Sequence, residues 1–178
     1  MKEEIIIAGF GGQGVLSMGK ILAYSGLMDD KEVTWMPSYG PEQRGGTANV
    51  TVILSDEKIS SPVLDRYDIV VALNQQSLDK FAPKVKEGGM LIYDTSGIHK
   101  HPDRKDIRVC PINAMEATIE MSNSKAYNMI VMGALLEAMD YKLPMENVVK
   151  GLKKSLPDRH HHLIPLNQAA IEKGKSLI

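Results

Sequence analysis

Gly9, Gly11 and Gly14 stand at the G-x-G-x-x-G spacing directly after the apolar run Ile5-Ile6-Ile7-Ala8. Glycines so spaced let a strand turn sharply into a helix and let the backbone approach a bound anion. The helix that follows presents unpaired N–H groups and a partial positive charge, a cradle for a phosphate or carboxylate. A second group, Tyr39-Gly40-Pro41-Glu42-Gln43-Arg44-Gly45-Gly46, sets an arginine among glycines. There Arg44 could offer a planar fork to an anion or a partner. It could equally pair with Glu42 or Asp94, and the glycines could simply turn the chain into the next strand.

These residues need a frame. Ile5–Ala8 reads as a strand covered on both faces. A helix is expected from about Gln13 to Leu27, with Val15, Leu16, Met18, Ile21 and Leu22 on its apolar face. Glu32–Met36 reads as a strand stopped by Pro37, residues 38–47 as a loop, and Ala48–Leu54 as an alternating strand. Lys58–Ser60 is expected to pair back on it. Asp68–Leu73 is a further buried strand. A helix over Gln75–Val85, a Gly88-Gly89 turn and a strand over Met90–Tyr93 follow, then a short strand over Ile107–Val109. Helices are expected at Asn113–Glu120 with Asn113 as cap, at Lys125–Met139 (apolar nearly all round and hence buried), at Pro144–Ser155 and at Pro165–Lys173. Strands alternating with helices predict an α/β fold. It is expected to be a three-layer, Rossmann-like doubly wound and mostly parallel sheet, helices on both faces, in a single domain over 1–178. The loop after the second strand then lies at the carboxyl edge beside the glycine turn.

Composition narrows the function. A net charge of −1 from 21 basic and 22 acidic residues gives no footprint for nucleic acid. No apolar stretch approaches the roughly 20 residues of a membrane helix. The acidic start enters a strand at once, so no secretory signal is expected; a cytoplasmic protein follows. Cys110 is the sole cysteine, too few for an iron–sulfur cluster, which takes about four thiolates, and reads as a small buried residue. Eleven methionines against two phenylalanines suit irregular core filling and leave some for an interface.

A stand-alone NAD(P)-dependent oxidoreductase is the alternative that the glycine spacing raises. It requires an acid at the end of the second strand to hold the ribose. That strand ends Trp35-Met36-Pro37-Ser38, and Asp29 and Asp30 precede it. Three adjacent histidines, His160 to His162, diverge too much to converge on a metal and read as a polar loop. Ser17 has no histidine and aspartate paired with it in any recognisable pattern. Asp94 and Thr95, at a strand end, either line a ligand crevice or cap the next turn. Asn128 reads as a structural clamp to a neighbouring loop.

GFGGQGV at 9–15 and YGPEQRGG at 39–46 together resemble the gamma subunit of 2-oxoacid:ferredoxin oxidoreductases. NVTVILSDEKISSP at 49–62, DIVVALNQQSLDKF at 68–81, GGMLIYDTS at 88–96, Asn128 to Gly133 and PLNQAAIEKG at 165–174 extend the likeness over nearly the whole chain. GPEQRGG, instead of a GPERRGAP form, favours the 2-oxoglutarate or branched-chain members over the pyruvate enzymes. The resemblance implies a multi-subunit enzyme that oxidatively decarboxylates a 2-oxoacid to acyl-CoA and reduces ferredoxin. Thiamine diphosphate, Mg and iron–sulfur clusters are then expected in alpha, beta and ferredoxin-like partner subunits, with no cofactor, metal or catalytic residue in this chain. The isolated chain is expected to be inactive and able to form a homodimer. Coenzyme A is a candidate shared substrate. The resemblance carries Gly11, Gly12, Gln13, Gly14, Glu42, Gln43, Arg44 and Gly45 as the ligand- or partner-contact surface.

Overall fold

The computed structural model describes residues 1–40 and 46–178. Six strands form one sheet in the order β2-β3-β1-β4-β5-β6: β1 Lys2–Phe10, β2 Glu32–Tyr39, β3 Thr47–Ser55, β4 Tyr67–Ala72, β5 Val85–Asp94 and β6 Arg108–Ile112. β1, β4, β5 and β6 run parallel, while β3 is antiparallel to both β1 and β2. β3 thus lies between β1 and β2, antiparallel to both.

Alternation sorts side chains to two cores. Ile5 and Ile7 face one side with Val50, Val52, Val71 and Ile92; there α1 (Val15–Leu27), α3 (Ala114–Glu120), α4 (Tyr127–Ala138), α5 (Met145–Ser155) and α6 (Ile164–Lys175) contribute apolar side chains. Ile6 and Ala8 face the other with Val70, Leu91 and Tyr93, under Leu78 and Phe81 of α2 (Gln75–Phe81). Coverage of both faces explains why β1 reads as an unbroken apolar run. α4 is buried nearly all round, its own Met129 and Met132 and the following Met139 included. Met115 is exposed.

Several expectations change. β2 continues through Pro37 to Tyr39, and β6 runs through Pro111 to Ile112. Both are edge strands, where one side needs no ladder partner and a proline's missing donor is tolerated. Gly88 and Gly89 lie inside β5: its pairing with β4 shifts register between Tyr67 and Ile69, and Gly88 takes φ 76°, so the expected turn is a bulge. Lys58–Ser60 forms no strand. α2 gives way to a 3-10 turn at Ala82–Lys84, where Pro83 cannot donate. His160–His162 sit in a 3-10 helix, Asp158–Leu163, and His161 Nε2 lies 3.0 and 3.1 Å from the carbonyls of Lys153 and Leu156. Cys110 is half-buried on β6. Asn113 does not cap α3 through its side chain. The buried carboxylate of Asp94 accepts the Ala114 N–H at 3.2 Å instead.

Candidate functional site

The carboxyl end of β1 runs into the glycine turn. Gly12 and Gly14 adopt φ 99° and 76°, the left-handed region where a side chain is strained. Gly14 precedes α1 without any side-chain cap. The first intrahelical bond there is Met18 N–H to Gly14 O, so the amides of Val15, Leu16 and Ser17 have no partner within the helix. A cavity of about 480 Å³ opens over them, lined by Phe10, Gly12, Gly14, Ser17, Tyr39 and Thr47 among others. Amides without a partner among the described residues, the helix dipole and an adjoining apolar wall can together hold an anionic group carrying an organic tail.

Gln13 holds the turn in shape. Its Oε1 accepts the Phe10 N–H at 2.6 Å, and its Nε2 donates to the Leu73 carbonyl at 3.1 Å, tying β1 to the end of β4. A Cβ on Gly9 would stand 2.6 Å from that same Oε1. Gln13 thus spends its amide on the backbone on either side, at Phe10 and Leu73, and shapes the rim. Gln13→Ala leaves the half-buried Phe10 N–H without its acceptor. A loss of about 1–2 kcal/mol in urea unfolding is expected, and a change below 0.5 kcal/mol would contradict this role.

Asn128, at the start of α4, lies against the turn: a Cβ on Gly14 would meet its Nδ2 at 2.6 Å and its Cβ at 2.7 Å. The clamp read from sequence is thus a direct packing contact. Gly11 N–H donates to the Gly46 carbonyl at 2.9 Å, so the second glycine block closes on the first. Gly40 N–H reaches the Thr47 carbonyl at 3.3 Å, placing both flanks of residues 41–45 at the cavity mouth. Glu42, Gln43, Arg44 and Gly45 themselves lie outside the described residues. Sequence reasoning missed Phe10, Tyr39 and Thr47 as wall residues. Phe10 and Tyr39 end β1 and β2 while Thr47 begins the antiparallel β3, and that all three meet at one edge becomes evident only once β3 is known to lie beside β1.

The geometry removes the ribose acid of a dinucleotide site. No acid ends β2. Asp29 and Asp30 lie before Glu32, whose partner across β3 is Ser55 and in turn Lys2, so they belong to the opposite edge of the sheet. Asp29 there accepts from Asn147 Nδ2 at 2.7 Å. Among the described residues no three histidine, cysteine or acidic side chains are grouped to hold a metal, and no helix is long and apolar enough to cross a membrane.

Residues 4–177 match the family model described as pyruvate ferredoxin/flavodoxin oxidoreductase. The ketoisovalerate oxidoreductase subunit VorA of Methanothermobacter marburgensis is 43% identical over 133 residues, covering 75% of this chain and 28% of that protein. The matched part thus spans less than a third of that relative's length. The gamma subunit of a keto/oxoacid ferredoxin oxidoreductase from Geobacter sulfurreducens superposes with a TM-score of 0.82 at 28% identity, covering 99% of this chain and 95% of that one. The 2-oxoglutarate:ferredoxin oxidoreductase of Magnetococcus marinus, solved with 2-oxoglutarate, coenzyme A and succinyl-CoA bound, gives 0.87 at 27% identity, over 99% of this chain and 31% of that one.

Proposed function

Since the chain belongs to the pyruvate ferredoxin/flavodoxin oxidoreductase family, we propose that it serves as the gamma-type domain, over residues 1–178, of a cytoplasmic 2-oxoacid:ferredoxin oxidoreductase. The assembly would oxidise 2-oxoglutarate or a branched-chain 2-oxoacid to its acyl-CoA. Thiamine diphosphate, Mg and iron–sulfur clusters reside, in this reading, on the alpha, beta and ferredoxin-like subunits, where they supply decarboxylation and electron transfer.

This chain's part is a ligand- or partner-contact surface to which Gly11, Gly12, Gln13 and Gly14 and also Glu42, Gln43, Arg44 and Gly45 contribute, and which helps enclose coenzyme A or docks onto the catalytic subunits. The cavity over the helix-start amides of Val15, Leu16 and Ser17, with Tyr39, Gly46 and Thr47 in its lining, carries the reading. Amides and an arginine suit the phosphates of such a ligand, and the apolar wall suits its chain.

Co-expression of the chain with the other subunits, and assay of acyl-CoA formation, tests it. Arg44→Ala is expected to raise KM for coenzyme A at least tenfold, or to abolish co-purification of the partners, with the thermal stability of the isolated chain unchanged. Normal assembly and an unaltered KM in that variant, or 2-oxoacid oxidation by the isolated chain, would end this reading.

A further inference from the structure

At the opposite edge of the sheet, far along the strands from the glycine turn, a buried acid holds a connection in place. Glu3 is 6% exposed. Its Oε1 accepts the Tyr141 N–H at 2.7 Å across 138 residues of chain, tying the α4–α5 connection to β1. Its Oε2 is buried with no hydrogen-bond partner among the described residues. We propose that Glu3 is a proton-operated latch: neutral, it keeps the Tyr141 segment docked on the sheet, and ionised, it releases that segment.

The charges around it are set against ionisation. Asp140 faces Glu3 from the α4–α5 connection, Asp68 from β4, and Lys142 alone from the connection opposes them. Of the other cations at this edge, Lys2 and Lys86 are committed elsewhere. Lys2 pairs with Glu4, and Lys86 pairs with Glu4 and with Asp68, the latter at 2.7 Å. Arg108 and Glu87 line the same 390 Å³ recess. Burial raises the Glu4 carboxyl, but the Lys2 and Lys86 ammonium groups outweigh it and hold Glu4 below its usual range. Burial first, then Asp140 and Asp68, push the Glu3 carboxyl up to about 7.

The direction follows from linkage. Opening the segment exposes Glu3 and returns its carboxyl towards the ordinary 4.5, so the closed form binds more protons between those limits. The opening constant therefore rises with pH through that window and levels off above about 7. Complete exposure would raise it by up to about 300-fold, the ratio set by the two pKa values. Below the window the latch is fully engaged. Lys31 Nζ, 4.6 Å from the centre of the Tyr141 ring and paired with Asp56 at 2.6 Å, steadies the segment by a contact separate from Glu3, which favours partial release over unfolding.

Amide hydrogen exchange of Tyr141 between pH 5 and 8, corrected for intrinsic exchange and referred to Met121 at the end of α3, tests the latch in the full chain. The relative opening constant is expected to rise at least tenfold in the native protein and to stay flat in Glu3→Gln. Asp140→Asn, at an exposed position, is expected to move the midpoint to lower pH without unfolding the protein. A flat native profile, the same rise in Glu3→Gln, or an unmoved midpoint in Asp140→Asn overturns the proposal. The last arm decides even if Glu3→Gln does not fold.

Discussion

Adding a single methyl group at Gly133 is expected to lower the unfolding free energy by about 3 kcal/mol or more, and Gly174→Ala by a similar amount. The two glycines are where α4 and α6 cross. A Cβ on Gly133 would stand 2.0 Å from the Ile171 carbonyl oxygen, and one on Gly174 would stand 1.9 Å from that of Ile130. Both obstacles are backbone, so no side-chain rotation relieves them and the helices must separate by an ångström or more. Separation loosens Ile130, Ala170 and Ile171, each fully buried, and dense interiors convert such shifts into lost dispersion contacts. For a chain of this length the melting temperature should fall by roughly 10 °C. Because the two variants force the same separation, the double variant should cost less than their sum. Denaturant unfolding of either variant within 0.5 kcal/mol of the parent would show that the crossing is not tight.

The second large effect is expected at Asp94. Its side chain is 1% exposed; Oδ2 accepts the Tyr127 hydroxyl at 2.8 Å while Oδ1 accepts the Ala114 N–H. Burial, and then the Asp94 charge beside it, push the Tyr127 phenol well above its ordinary range. Asp94→Ala strands both donors in the interior and uncaps α3, for an expected loss of about 3 kcal/mol. Asp94→Asn keeps an oxygen for Ala114 and an amide donor for the Tyr127 oxygen, and should cost about 1 kcal/mol. The effect should also travel. Tyr127 adjoins Asn128, whose side chain lies against Gly14, so amide exchange at Val15 is expected to quicken in Asp94→Ala. Equal stability of the alanine and asparagine variants in urea unfolding would contradict the buried-acceptor account.

Gln13 and Glu3 illustrate how differently single residues announce themselves. Gln13 stands out between glycines, and its bond to Phe10 is local, although its bond to Leu73 crosses 60 residues. Glu3 does not stand out, since an acid near the start of a strand reads as solvent-exposed. It is buried because the segment around Tyr141 folds over it, a contact between residues at opposite ends of the chain.

Local sequence is enough to place most elements and the faces they bury. Ile5–Ala8 had to be covered on both sides, α4 had to be buried, and the glycine spacing had to turn a strand into a helix, because periodicity and backbone sterics act over a few residues. The paired glycine blocks also carried the family. Tertiary structure alone decided that β3 returns antiparallel between β1 and β2, that Pro37 and Pro111 sit harmlessly on edges, that Asp94 caps α3, and that Gly133 meets Gly174. Alternation states which way a side chain points and is silent about which strand or helix it meets; neighbours are chosen by the packing of the whole chain.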